Sequence, residues 1–315
     1  MSAPNNAYWA ATQNAAFYRI PSPGYLHISG DTRQEYLQRQ TTNDLGLLTA
    51  TRVLPTILPS PSGRVLEVFT LIREGESIGL ITQPGHGPGL AAFFQKHRFF
   101  NDQVTITDSS PDWIQIELHG PRALDELRRL GIDDHLELDD LAEVAWQGHK
   151  LRALVEGGFG IPLSFRLLAP VAASQPLTES LAHLPALDLA TRRVLRVEAC
   201  LAGDPEFNGE YTPFEIGLAR LVSAEKGCYT GQEVLARQIT YDKIVRCLAR
   251  LHTDEAIEPG AVVHSSGKEI GKVTSAAVSS RFGALALAVL RRPHDEPGTG
   301  LDIPSQDKSV PANVS

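Results

Sequence analysis

Residues 24–41 read GYLHISGDTRQEYLQRQT, and residues 113–130 read WIQIELHGPRALDELRRL. Each stretch begins with the alternation of a half-buried strand and continues past a glycine into a helical pattern. Asp31, directly after the first glycine, is predicted to cap the first helix. The correspondence of Gly30 with Gly120 predicts two similar α+β units that arose by internal duplication.

Beyond residue 240 the pattern changes to short β-like runs separated by turn residues such as Pro259–Gly260. This pattern predicts a small antiparallel β-barrel after the α+β body. The tail from Pro293 to Ser315 is rich in Pro, Gly and Ser, and we expect it to fray. The predicted fold class is therefore α+β, two similar units followed by a C-terminal antiparallel barrel. The expected domains span residues 1–110, 111–240 and 241–315.

The composition is that of a folded protein, with 42% hydrophobic and 21% charged residues in a chain of 315. Whole-chain disorder is excluded. No run approaches the ~20 apolar residues that cross a bilayer, and the first residues lack the pattern of a secretory signal or a mitochondrial presequence. We therefore expect a cytoplasmic protein without a membrane partner.

The formal net charge of -8 argues against a protein that binds nucleic acid, since such proteins carry a basic surplus. Basic residues do predominate between positions 220 and 250, and this stretch is interpreted either as a solvated face or as the lining of a site for an anionic ligand. A tRNA-binding module based on it is a further hypothesis, which the net charge disfavours. No direct DNA binding is expected.

The cysteines at positions 200, 228 and 247 are an odd number at wide spacing. They match neither a disulfide framework nor the ligand pattern of a zinc or iron–sulfur site, so we expect no bound metal. Cys228 alone has informative surroundings, in the string KGCYTGQE at residues 226–233.

Two glycines, Gly227 and Gly231, bracket Cys228 and are predicted to adopt backbone angles that a Cβ would forbid. A helix is predicted from Gln232 to Thr240, which places Cys228 near a helix N-terminus with Lys226 two residues away. Both features lower the pKa of a thiol. The alternative, a structural cysteine buried in a tight turn, is the commoner situation.

A second candidate is Glu198, which follows Arg196 and Val197 ahead of the loop Gly203–Gly209. A buried carboxylate can accept hydrogen bonds from a ring N–H and an exocyclic amine, the edge that a pterin or a guanine presents. The alternative is a surface Arg–Glu pair of little energetic consequence. Spacing alone favours the second interpretation.

The string KGCYTGQE resembles the signature of the YgfZ-type folate-binding proteins, relatives of the glycine cleavage T-protein (aminomethyltransferase). Further segments agree with that family in order, and the resemblance covers about residues 24 to 290. These segments are LQRQTTND at 37–44, PSGR at 61–64, LHGP at 118–121, LRVEA at 195–199, PFEIGL at 213–218 and GKVTS at 271–275.

The resemblance implies three domains in a ring around a channel that binds a reduced folate, tetrahydrofolate, with residues 1–110 as the first folate-binding unit. YgfZ-type proteins act as folate-dependent accessory factors in making or repairing iron–sulfur proteins and are linked to tRNA thiomethylation. The implied partners are thus a reduced folate and an iron–sulfur client or assembly protein. The implied chemically active residues are Cys228 and Lys226, with Glu198 holding the pterin. Additional cofactor-binding candidates are Arg196, Tyr229 and Gln232.

Two departures from the T-protein pattern bear on the activity. T-proteins carry paired aspartates where this chain has Leu66 and Glu67. Leu66 cannot move a proton, and Glu67 extends one methylene further than an aspartate, so aminomethyltransferase activity is doubtful. The alternative function is a folate-dependent aminomethyl or one-carbon transferase that uses Glu67 as its base. Cys200 stands where relatives usually have glycine.

Overall fold

The computed structural model describes residues 6–132, 135–158, 161–305 and 308–315. The helices are α1 (Asn6–Gln13), α2 (Arg33–Gln40), α3 (Gly87–Lys96), α4 (Ala123–Arg129), α5 (Ser174–Ser180), α6 (Leu189–Glu198) and α7 (Gln232–Thr240). The strands are β1 (Ala16–Arg19), β2 (Gly24–Ser29), β3 (Leu54–Pro59), β4 (Val65–Glu74), β5 (Ser77–Thr82), β6 (Thr105–Asp108), β7 (Trp113–His119), β8 (Leu141–Trp146), β9 (His149–Gly158), β10 (Ile161–Pro170), β11 (Arg246–Thr253), β12 (Val262–Ser265), β13 (Lys268–Ser279), β14 (Gly283–Arg291), β15 (Gly300–Ser305) and β16 (Lys308–Val314). Within these described ranges, every helix is too short or too polar to cross a membrane.

The chain forms two compact units. The first, which we call the α+β unit, comprises residues Met1–Leu58, Glu67–Thr191 and Glu225–Tyr229. The second, the barrel unit, comprises residues Pro59–Leu66, Arg192–Ala224 and Thr230–Ser315.

The α+β unit contains two five-stranded sheets of matching order. One sheet runs β3-β4-β5-β2-β6 and the other β8-β9-β10-β7-β1. Strand β6 precedes β7 along the chain, yet it pairs with β2. Strand β1 precedes β2, yet it pairs with β7. The two halves are therefore similar, as the sequence predicted, and they have exchanged their leading strands.

Each strand–helix corner requires glycine, because another part of the backbone lies too close to leave room for a Cβ atom. Gly30 and Gly120 have φ angles of +105° and +113°. A Cβ on Gly30 would lie 2.1 Å from the carbonyl oxygen of Gln103, and one on Gly120 would lie 2.3 Å from that of Asn14. The predicted equivalence of the two corners is confirmed, because each glycine contacts the segment that delivers the exchanged strand.

The predicted cap at Asp31 is wrong. Helix α2 begins at Arg33 with Thr32 at the N-cap, and no side chain caps it. The hydroxyl of Thr32 instead accepts a hydrogen bond from the backbone N–H of Gln103 at 2.8 Å. This bond fixes the segment ahead of β6, a tertiary contact that a local capping pattern does not encode.

Each sheet has a core of its own, and a third core lies between them. The first sheet buries residues such as Leu26 with Tyr36 of α2, and the second buries residues such as Ile116 with Leu127 of α4. The core between the sheets contains Tyr25, Ile72, Ile81, Leu141, Leu154 and Leu168. The two sheets of the α+β unit therefore share a buried apolar core in addition to their own.

The barrel unit contains a closed six-stranded barrel of order β11-β14-β13-β12-β15-β16. It closes where β16 pairs with β11, for example Val314 with Leu251. The expectation that residues 293–315 fray is therefore wrong, since β15 and β16 complete the barrel. The physical reason is an alternation of buried apolar residues at Leu301, Ile303, Val310, Ala312 and Val314.

Candidate functional site

The two glycines of the string KGCYTGQE differ in their backbone requirements. Gly231 has a φ angle of +78°, and a Cβ there would lie 2.5 Å from the carbonyl oxygen of Ser60. A Cβ on Gly227 would meet nothing within 4 Å, and its φ angle is not positive. The prediction that both glycines are needed is correct for Gly231 and wrong for Gly227.

Cys228 is exposed, and helix α7 begins at Gln232 as the sequence predicted. The alternative interpretation of Cys228 as a buried structural cysteine is wrong. Cys200 and Cys247 are half-buried, and burial raises the pKa of both thiols. Cys228 thus differs from the other two cysteines in accessibility, whereas its reactivity stays a prediction.

The side chain of Lys226 is buried. Its ammonium donates hydrogen bonds of 2.7 Å to the backbone carbonyls of Thr41 and Asn43. Burial lowers its pKa to about 8, and the nearby carboxylate of Asp44 opposes that shift. The nitrogen lies 5.0 Å from the ring centroid of Tyr229, whose pKa burial raises to about 12.

The segment that receives Lys226 is itself held by side chains. The amide of Asn43 donates to the carbonyl of Pro55 at 2.9 Å, and its backbone N–H donates to the hydroxyl of Thr56 at 3.0 Å. The N–H of Gly46 and the amide of Gln38 donate to Asp44 and lower the pKa of its carboxyl. Sequence reasoning found this segment only as a matching string, LQRQTTND, and did not connect it with Lys226.

Glu198 is the last residue of α6, and its side chain is half-buried. The hydroxyl of Ser279 on β13 donates to its Oε1 at 2.5 Å. The guanidinium of Arg250 on β11 donates to its backbone carbonyl. A carboxylate offers two adjacent acceptor oxygens, the group that pairs with neighbouring N–H donors of a ligand. Sequence reasoning missed Ser279, because only the folded barrel brings it to α6.

Arg196 is buried, at 8% exposure, and its ion partner is Glu206 at 3.0 Å. It also donates to the carbonyl of Leu201 at 2.8 Å and to the hydroxyl of Ser275 at 2.5 Å. Burial lowers its pKa. The interpretation as a surface Arg196–Glu198 pair is wrong, and the guanidinium instead fixes the loop after Glu198.

Cys200 lies in that loop with a φ angle of +53°. This is the left-handed region that favours glycine, and helices commonly end with a residue in it. The glycine that the T-protein pattern places here would adopt the same turn without the strain that a Cβ brings.

The sequence-predicted residues divide between the two units. Lys226, Cys228 and Tyr229 belong to the α+β unit, and Lys226 and Tyr229 are in contact. Arg196, Glu198 and Gln232 belong to the barrel unit, where Gln232 is the half-buried first residue of α7.

Glu67 is buried and lies beside His86, which sequence reasoning did not identify. The Nδ1 of His86 is 2.6 Å from Oε2 of Glu67, and the imidazole is partly exposed. A carboxylate that orients a histidine is an arrangement suited to proton transfer. Within the described residues, no group of three or more His, Cys, Asp and Glu side chains could hold a metal ion.

Known protein families match the chain on both sides of residue 240. The GCVT N-terminal domain matches residues 3–226, and the glycine cleavage T-protein C-terminal barrel domain matches residues 246–315. The chain is 28% identical over 314 residues to an aminomethyltransferase of Saccharopolyspora erythraea, covering 95% of this chain and 85% of that protein.

A chloroplastic protein of Arabidopsis thaliana that is named as a transferase is 27% identical over 264 residues, which cover 80% of this chain. The match spans 59% of the plant protein's length. The structure is similar to that of aminomethyltransferase T from the glycine cleavage system of Bartonella henselae, with a TM-score of 0.86 and 22% identity over 98% of this chain and 87% of that one. At this identity the likeness shows the fold alone.

Proposed function

Because the chain belongs to the glycine cleavage T-protein (GCVT) family, we propose that it is a cytoplasmic, YgfZ-type protein that binds tetrahydrofolate and assists the assembly or repair of iron–sulfur proteins. Cys228 is its reactive thiol, and Glu198 holds the pterin. Any effect on tRNA thiomethylation is indirect, through an iron–sulfur client.

The observation that carries folate binding is the half-buried carboxylate of Glu198, held by the hydroxyl of Ser279. The pterin presents a ring N–H beside an exocyclic amine, and a carboxylate offers acceptor oxygens in matching geometry. A carboxylate has about four acceptor positions in all, a capacity that covers a bond from Ser279 together with two donors of a pterin edge, so the residues fit the group. When bound, tetrahydrofolate supplies one-carbon or electron-transfer chemistry.

The other cofactor-binding candidates have separate roles in this proposal. Arg196 acts indirectly, because its guanidinium fixes the loop after Glu198 through Leu201 and Glu206. Tyr229 and Gln232 are proposed folate contacts, and Lys226 supports the segment that carries Cys228.

Calorimetric titration of tetrahydrofolate tests the binding site. We expect binding to the wild type and to Cys228→Ala, and loss of binding in Glu198→Gln, since an amide cannot accept both donors at the pterin edge. Glu269→Gln, which changes an exposed carboxylate of the same barrel, is the matched control and should bind as the wild type does. Absence of binding to the folded wild type would exclude the proposal.

The accessory role is tested in a strain that lacks the protein. We expect wild-type protein to restore the activity of an iron–sulfur enzyme and Cys228→Ala to fail, while Cys247→Ala restores it. Equal restoration by Cys228→Ala would refute the role of the thiol while leaving folate binding intact.

A second candidate function, aminomethyl or one-carbon transfer, is favoured by the contact between Glu67 and His86. In this alternative the pair provides the base that the T-protein aspartates would otherwise supply. Formation of methylene-tetrahydrofolate from an aminomethyl donor, abolished in Glu67→Gln, would support it. Absence of turnover with such donors would leave the accessory role as the sole candidate.

A further inference from the structure

Two strands of the barrel donate hydrogen bonds to Glu198, one to its backbone and one to its side chain. Arg250 of β11 donates to its backbone carbonyl, and Ser279 of β13 donates to its carboxylate. The last residue of α6 is therefore fixed in position by the barrel, although α6 and β13 are far apart in the sequence.

The hydrogen-bonding capacity of the Ser279 hydroxyl is filled. Its oxygen accepts the backbone N–H groups of Arg281 and Phe282, both at 2.9 Å. A hydroxyl has two acceptor lone pairs and one proton, so its proton is directed at Oε1 of Glu198. Ser279 is only 4% exposed, which limits competition from water.

We propose that Ser279 is a positioning residue that sets the orientation of the Glu198 carboxylate for the amino edge of the ligand. The proposal rests on the folate binding proposed above. A ligand with two adjacent donors needs the carboxylate plane aligned with the plane of those donors, and a carboxylate that rotates freely would lose entropy on binding. The bond from Ser279 removes this freedom before the ligand arrives.

The experiment compares tetrahydrofolate affinities of the wild type, Ser279→Ala, Ser279→Thr and Ser280→Ala by calorimetry. We expect Ser279→Ala to weaken binding about tenfold, the usual consequence of losing one hydrogen bond to a charged group. Threonine keeps the hydroxyl and suits a strand, so Ser279→Thr should restore most of the affinity. Ser280 is the exposed neighbour and should tolerate alanine.

A second ligand separates positioning from general damage to the barrel. In the 2-desamino-2-methyl analogue of tetrahydrofolate, a methyl group replaces the exocyclic amine. If Ser279 acts through Glu198 on that edge, Ser279→Ala weakens binding of tetrahydrofolate and leaves the affinity of the analogue, measured by competition, close to the wild-type value.

Equal weakening for both ligands, or wild-type affinity in Ser279→Ala, would overturn the role of Ser279 and leave the proposed function standing. Absence of tetrahydrofolate binding to the wild type would instead overturn the proposed function, and the role of Ser279 with it.

Discussion

The ammonium of Lys226 lies 2.7 Å from the backbone carbonyl of Asn43, although 183 positions separate the two residues in the sequence. The same nitrogen also donates a hydrogen bond to the backbone carbonyl of Thr41. One buried cation therefore ties the segment that carries Cys228 to the loop after α2, and this tie determines what substitution of Lys226 should do.

Lys226→Met should destabilise the α+β unit by about 2 kcal/mol, because two buried carbonyls lose a charged donor. Urea denaturation would measure the loss in the free energy of unfolding. Lys268→Met, at an exposed lysine in the barrel, should leave that free energy within about 0.5 kcal/mol of the wild-type value. Equal stability of the two variants would show that the buried contacts contribute nothing net.

The stability of the wild type relative to Lys226→Met should rise between pH 8 and pH 10.5. Burial lowers the pKa of Lys226 from 10.5 to about 8. Within this window the unfolded chain holds a proton that the folded chain has released, so raising the pH favours the folded chain. Below pH 8 both states are protonated, and the difference should be flat. A difference that stays flat up to pH 10.5 would mean that the carbonyls keep the ammonium charged.

Gly231→Ala should lower the free energy of unfolding by more than about 2 kcal/mol, since it combines a left-handed φ angle with a Cβ placed against backbone. The obstructing atom is the carbonyl oxygen of Ser60, at 2.5 Å. Thermal unfolding would measure the effect. Gly227→Ala, in the same string, meets no such obstruction and serves as the control. Comparable unfolding temperatures for the two variants would contradict the requirement for glycine at position 231.

Iodoacetamide should alkylate Cys228 well before Cys200 and Cys247. Cys228 is exposed, whereas burial raises the pKa of the other two thiols and so lowers their thiolate fraction. Peptide mass spectrometry after a short exposure near neutral pH would rank the three sites. Faster labelling of Cys247 than of Cys228 would be incompatible with the exposure on which the proposed thiol chemistry depends.

Local patterns in the sequence predicted much of the fold. The corners at Gly30 and Gly120, the helix Gln232–Thr240 and the C-terminal barrel all follow from periodicity and turn residues over short windows. The prediction for the tail is wrong, because it follows the Pro and Gly content and not the period-two alternation that begins at Leu301 and resumes at Val310.

The candidate site was less predictable, since its contacts join distant segments. No local pattern connects Lys226 with Asn43, or Glu198 with Ser279. The sequence did single out Glu198 and Cys228 through a family resemblance, but the groups that hold their segments in place are defined by tertiary packing.

The exchange of β1 and β6 between the two sheets makes the halves of the α+β unit interdependent. Strand β1 can pair only after β7, about a hundred residues later in the chain, has been synthesised, and pairing between such distant segments slows folding. A fragment carrying one half would leave the edge of β2 or β7 open to pairing with another chain. Neither half of the α+β unit can therefore complete its five-stranded sheet without a strand from the other half.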